Sequence, residues 1–158
     1  MKKLLVVQTV VLLFGAVFAW QSVTKNFIRF YHIEGTIFKV TNCSIPNPIT
    51  EACFYGAVAF VVAFLLSLVI IRTQEHRYLA RQKYLLWFLC AGTVFAWFNV
   101  SKEFIAFYSA HGKVVLGGSA TPITSPFYTP CFTGAMIFLL SAFVAYILFV
   151  YGRKGVLK

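Results

Sequence analysis

Ala52–Ile71 reads ACFYGAVAFVVAFLLSLVII, a run without a charge and with Ser67 as its only strongly polar side chain. A helix rises about 1.5 Å per residue, so roughly 20 apolar residues carry a chain across the hydrocarbon of a bilayer. This run therefore reads as a membrane span. Residues 4–22, 84–100 and 132–151 read the same way. The stretch 84–100 is the shortest and is expected to begin a few residues earlier, with Arg81 and Lys83 snorkelling to the interface. Backbone groups in lipid must be satisfied within the chain, and none of the four runs alternates with the period of a barrel strand. The expected fold is an all-α integral membrane protein, a four-helix transmembrane bundle.

Composition points the same way. Of 158 residues, 60% are hydrophobic and 11% charged, whereas a soluble domain carries about a quarter charged residues. The net charge of +10 would suggest nucleic-acid binding on a soluble body, but no soluble body remains once the spans are removed. No nucleic-acid partner is expected. Residues 1–22 also have the outline of a signal peptide, with Lys2 and Lys3 before an apolar run. The internal repeat described next argues for a retained span.

Phe18-Ala19-Trp20 recurs as Phe95-Ala96-Trp97, and the offset of 77 persists through Lys25 and Lys102, Phe27 and Phe104, Phe30-Tyr31 and Phe107-Tyr108, and Gly35 and Gly112. After one inserted residue the match resumes at Pro48 with Pro126, then Cys53-Phe54 with Cys131-Phe132, Gly56-Ala57 with Gly134-Ala135, and Phe60 with Phe138. Self-similarity at a fixed period marks a repeat. The chain divides into two tandem two-helix units, residues 1–78 and 79–158. An even number of spans per unit inserts both the same way up, related by a pseudo-two-fold axis along the membrane normal. Gly15 with Gly92 and Gly56 with Gly134 are candidates for close helix contact.

Orientation follows from the cations. Lys2, Lys3, Arg72, Arg77, Arg81, Lys83, Arg153, Lys154 and Lys158 fall on one side, and only Lys25, Arg29, Lys39, Lys102 and Lys113 on the other. The positive-inside rule then places both termini in the cytoplasm, in an inner or plasma membrane. The longer segments 23–51 and 101–131 face outward. Phe27, Phe30 and Tyr31 suggest that the first helix continues beyond the interface until Gly35 caps it, and Gly112 is expected to stop the third. Residues 36–40 and 113–116 have β character and could pair as a small outer sheet. Thr129 before Pro130 is a strong helix-start signal.

The candidate chemistry lies outside. Cys43, Cys53 and Cys131 face the outer compartment, and Cys90 lies within the third span, where a buried, inert thiol is expected. Cys53 and Cys131 open their helices, where unpaired N–H groups and the helix dipole favour a thiolate. No C-x-x-C is present, and in an oxidising compartment a structural disulfide is the favoured use of such cysteines. The spans contain no carboxylate or histidine, which weighs against a proton-coupled pump. Gln8, Thr9 and Thr93 are the polar groups at depth and suit interhelical hydrogen bonds. His32, Glu34, Glu51, Glu103 and His111 show no metal-ligand spacing, so no metal and no cofactor are expected. With no aspartate in the chain, Ser-His-Asp catalysis is excluded.

The leading expectation is a non-enzymatic subunit or scaffold that binds membrane lipid, a membrane-protein partner or a second copy of itself. The surface expected to do so is an outer aromatic and cationic cap of Trp20, Lys25, Phe27, Phe30, Tyr31, Trp97, Lys102, Phe104, Phe107 and Tyr108. One alternative is a thiol–disulfide oxidoreductase using the outer cysteines, and another is a passive pore or carrier at the repeat interface.

Overall fold

The computed structural model describes residues 2–39, 43–73, 75–110 and 123–153. Four helices account for most of them: α1 (Lys2–Glu34), α2 (Ala52–Ile71), α3 (Glu75–Ser109) and α4 (Pro130–Arg153), with single 3₁₀ turns at Pro48–Thr50 and Pro126–Tyr128 leading into α2 and α4. All four are long and apolar enough to cross a membrane, and this is an integral membrane protein. Among the described residues there is no strand.

Both α1 and α3 run well past their expected spans. At 33 and 35 residues and about 1.5 Å per residue they measure roughly 50 Å, against about 30 Å of hydrocarbon. The apolar period continues through Phe27 and Phe30 and through Phe104 and Phe107, so no signal ends the helix at the interface. Gly35 ends α1 as expected, at a positive φ of 71° that favours glycine. Its N–H donates to Tyr31 O at 2.9 Å. Gly112, the expected stop for α3, lies outside the described residues.

The expected outer sheet is absent from 36–39. Asn47 Nδ2 donates to Ile37 O at 3.2 Å and to Lys39 O at 2.8 Å, and these are carbonyls a strand partner would need. The Glu34 carboxylate holds the same loop, taking Lys39 and the Ser44 N–H. Val40 and residues 113–116 lie outside the described residues. At the other return, Thr129 caps α4 as its sequence predicts, its hydroxyl accepting from Phe132 N at 3.2 Å.

Each helix packs on its sequence neighbour, α1 with α2 and α3 with α4. The two hairpins meet through α1 on α4 and α2 on α3, and α2 and α4 touch only slightly. That slight contact includes the stacked rings of Phe60 and Phe138, whose centroids are 3.9 Å apart. Gly15 gives Phe60 its seat and Gly92 does so for Phe138: a Cβ there would lie 2.5 Å and 2.7 Å from the respective ring. Gly56 and Gly134, expected as close contacts, instead face open space.

Below the rings the core turns partly polar. Gln82 and Gln8 are buried, and Gln82 Nε2 donates to Gln8 Oε1 at 3.1 Å and to Ala145 O at 3.2 Å, joining α1, α3 and α4. Thr9 and Ser67 hydroxyls meet at 2.5 Å between α1 and α2. Thr93 makes no such bridge: its hydroxyl donates to Leu89 O on its own helix.

The glycine contacts predict opposite signs for one substitution. Gly15→Ala and Gly92→Ala push a methyl into a ring and are expected to cost about 1–3 kcal/mol each. Gly56→Ala and Gly134→Ala meet nothing and are expected to gain up to about 1 kcal/mol from reduced chain entropy. Thermal unfolding in one detergent, comparing the four single variants, checks the ordering.

Candidate functional site

The residues of interest gather where α2 and α4 begin. Prolines in both approaches allow one 3₁₀ turn and then a helix, so Cys53 and Cys131 each become the second residue of a helix. The packing of α2 against α4 brings their sulfurs to 3.0 Å as free thiols, both half-buried. Cys43, the third outer cysteine, hydrogen-bonds instead to Lys39 O at 3.4 Å. Cys90 is exposed on the apolar flank of α3 rather than buried, because its position on the helix turns it away from the bundle axis.

Carboxyl groups flank the thiols. Glu103 of α3 lies beside the Cys131 thiol. Glu51, just ahead of α2, is buried and accepts from Asn26 Nδ2 at 3.3 Å. Burial pushes the Glu51 carboxyl up to about 7. The Asn26 amide and the Arg29 guanidinium oppose that rise, and the nearby Glu103 carboxylate adds to it. His32, Glu34, Glu51 and Glu103 do not gather as one group: Glu34 is engaged with Lys39 and Ser44, His32 is exposed beside Tyr31, and His111 lies outside the described residues. Among the described residues no three His, Cys, Asp or Glu side chains are grouped to hold an ion.

Behind the thiols lies a cleft of about 600 Å³, counting the space at its open mouth. Cys53 and Cys131 stand at one end, and Phe60 and Phe138 close the other. Gly56, Ala57, Gly134 and Ala135 line α2 and α4, while Phe18 and Phe95 enter from α1 and α3. Cys53 and Phe60 are seven residues apart, as are Cys131 and Phe138, so thiols and rings lie two helical turns apart on one face. Small residues between them leave the space open. The cleft's other polar side chains are already engaged: Ser22 donates to Phe18 O at 3.3 Å and Asn99 to Phe95 O at 2.8 Å.

The residues of the expected outer cap divide between packed and exposed positions. Phe30 is fully buried. Trp20 and Phe27 set edges against Phe54, Trp97 against Phe132, and Phe104 against Phe127. Phe107 packs edge-on against Tyr108. Trp20, Tyr31 and Tyr108 remain exposed. Lys25 and Lys102 are exposed too, and Lys102 lies 4.3 Å over the Phe98 ring. Sequence reasoning did not single out Gln82, Asn99 or the cleft itself. The repeated small residues Gly56-Ala57 and Gly134-Ala135 were the available signal for the cleft. Comparison with models of protein families, with curated proteins and with solved structures finds no match for this chain.

The elevated Glu51 carboxyl carries a sign for stability. A group whose folded value lies above its unfolded one favours the fold when protonated, so its contribution is fully present below about 4.5 and is lost as pH rises through about 7. The unfolding midpoint in detergent is expected to fall between pH 5 and 8, and the slope is expected to flatten in Glu51→Gln. Arg29 and Glu103, the charged neighbours, remain in that variant.

Proposed function

We propose that this chain is a non-enzymatic membrane protein of two tandem, parallel two-helix copies that seats the hydrocarbon part of a lipid-soluble molecule in the cleft between them. The observation that carries the reading is the cleft's chemistry: rings and small aliphatic groups line it, and the Ser22 and Asn99 side chains at its rim are already bonded to their own helices. Such a site offers an occupant mainly burial against apolar groups. An apolar cleft between bundle helices is a usual setting for a bound ligand.

The duplication is supported by what lines the cleft. All lining residues except Ala59 and Gly92 fall into matched pairs: Phe18 with Phe95, Ala19 with Ala96, Ser22 with Asn99, Ala52 with Pro130, Cys53 with Cys131, Gly56 with Gly134, Ala57 with Ala135 and Phe60 with Phe138. Paired contacts elsewhere follow the same offsets, with Trp20 on Phe54 and Trp97 on Phe132. A cleft on a pseudo-two-fold axis would be lined in this way. The cation distribution supports both termini in the cytoplasm, with the thiol end of the cleft facing outward.

The pore reading is less well served, because stacked Phe60 and Phe138 lie across the path and the Gln8–Gln82 pair lies beyond them. A protein partner at the outer end would meet Phe38 and Tyr128, which are 79% and 87% exposed.

Gly56→Leu with Gly134→Leu fills the cleft where neither new side chain meets a neighbour at its first carbon. Native mass spectrometry of protein taken from membranes in mild detergent is expected to detect a lipid-soluble ligand on the unaltered chain and none on the double variant. Equal retention by both, or an unaltered chain that carries nothing, would sink the reading.

A further inference from the structure

We infer that Cys53 and Cys131 form a reversible dithiol–disulfide couple that exchanges with disulfides presented at the outer face, with Glu103 as the base that takes the Cys131 proton. The inference does not depend on what occupies the cleft. It rests on three features found together: two thiols 3.0 Å apart, a carboxyl group beside one of them, and a position for both cysteines, neither fully buried, at one end of the cleft.

A purely structural bridge is not what this position needs. The approaches to α2 and α4 are already secured by Asn47, which spans 37–49, and by the Thr129 cap. Neither requires the sulfurs to be joined. A structural bridge also has no use for a base beside one sulfur, whereas exchange does, because the thiolate and not the thiol attacks a disulfide.

The exchange balances without a further reagent. Cys131 gives its proton to Glu103, and its thiolate attacks one sulfur of an incoming disulfide, releasing the other as a thiolate that takes up a proton. Cys53, already against Cys131, then loses its proton and attacks the mixed disulfide at the Cys131 sulfur. One S–S bond has formed between Cys53 and Cys131, one has been broken in the substrate, and the substrate departs with two thiols. The reverse course oxidises a substrate dithiol.

Oxidised and reduced glutathione serve as probes on the full chain in lipid nanodiscs, with Cys43→Ala and Cys90→Ala so that only the pair is read by maleimide trapping. The pair is expected to interconvert between two labels and none as the buffer is varied. Cys53→Ser is expected to accumulate a glutathione adduct on Cys131. Glu103→Gln is expected to slow adduct formation about tenfold near neutral pH and shift its pH profile towards the alkaline side, with partial recovery in Glu103→Asp. The charged groups around Glu103 in that profile are Glu51 and, beyond it, Arg29. A pair that stays bridged in reduced buffer, or stays fully labelled in oxidised buffer, overturns the couple. A pH profile unmoved by Glu103→Gln overturns the assignment of the base.

Discussion

The bundle is organised around the stacking of Phe60 on Phe138. In a bilayer, helices gain little by hiding apolar surface from one another, because lipid tails are as apolar as leucine, so close packing has to hold them together. Two rings at 3.9 Å, each seated on a glycine of a third and fourth helix, tie all four spans at one level. Between the rings and the paired thiols, α2 and α4 line the cleft with glycine and alanine, and the space between them stays open. Below it, larger side chains and the Gln8–Gln82 pair fill the interior. One contact therefore separates an open half, at the thiol end, from a closed half.

Much of this architecture was legible because membrane physics leaves few options. The uncharged run at 52–71 could be little but a span, and the same held for 132–151. The Gly35 stop and the Thr129 cap are local decisions, made by a positive φ and by one hydroxyl, and local decisions can be read from a local sequence. The expected strand at 36–39 failed for a non-local reason. Its β character is real, but Asn47, ten residues on from Ile37, reaches back and takes its carbonyls. Some phenylalanines of the expected aromatic cap show a related effect. Phe27, Phe30 and Phe104 look like an exposed surface when α1 and α3 are read alone, yet Phe27 and Phe104 meet rings supplied by the starts of α2 and α4, and Phe30 is buried.

The candidate site was half legible. Cys53 and Cys131 stood out because they are matched in the sequence and open their helices, but a one-dimensional text cannot show that their sulfurs meet. Nor could it show that Glu103 belongs with Cys131, since the two lie on different helices and 28 positions separate them. Glu51 and Glu103 were set beside His32 and Glu34 as one outer cluster, yet only the first two are neighbours. Burial at the junction of four helices selects them. The other two sit farther along α1, where its extension has left the bundle.

The differences between the proposed copies say more about the thiols than the similarities do. On the offsets of the repeat, Glu103 stands where the first copy has Asn26, and Glu51 stands where the second copy has Thr129. Asn26 spends its amide on Glu51, and Thr129 spends its hydroxyl on capping α4. At these two matched positions each copy thus has one carboxyl group, on a different element, and of the two only Glu103 lies beside a sulfur. Two separate, identical hairpins would present the thiols with the same neighbours, so nothing would distinguish one from the other. Joining the hairpins in one chain lets the neighbours diverge while the sulfurs stay paired. The thiol beside Glu103 can then attack, and its partner, already in contact, can close the bridge.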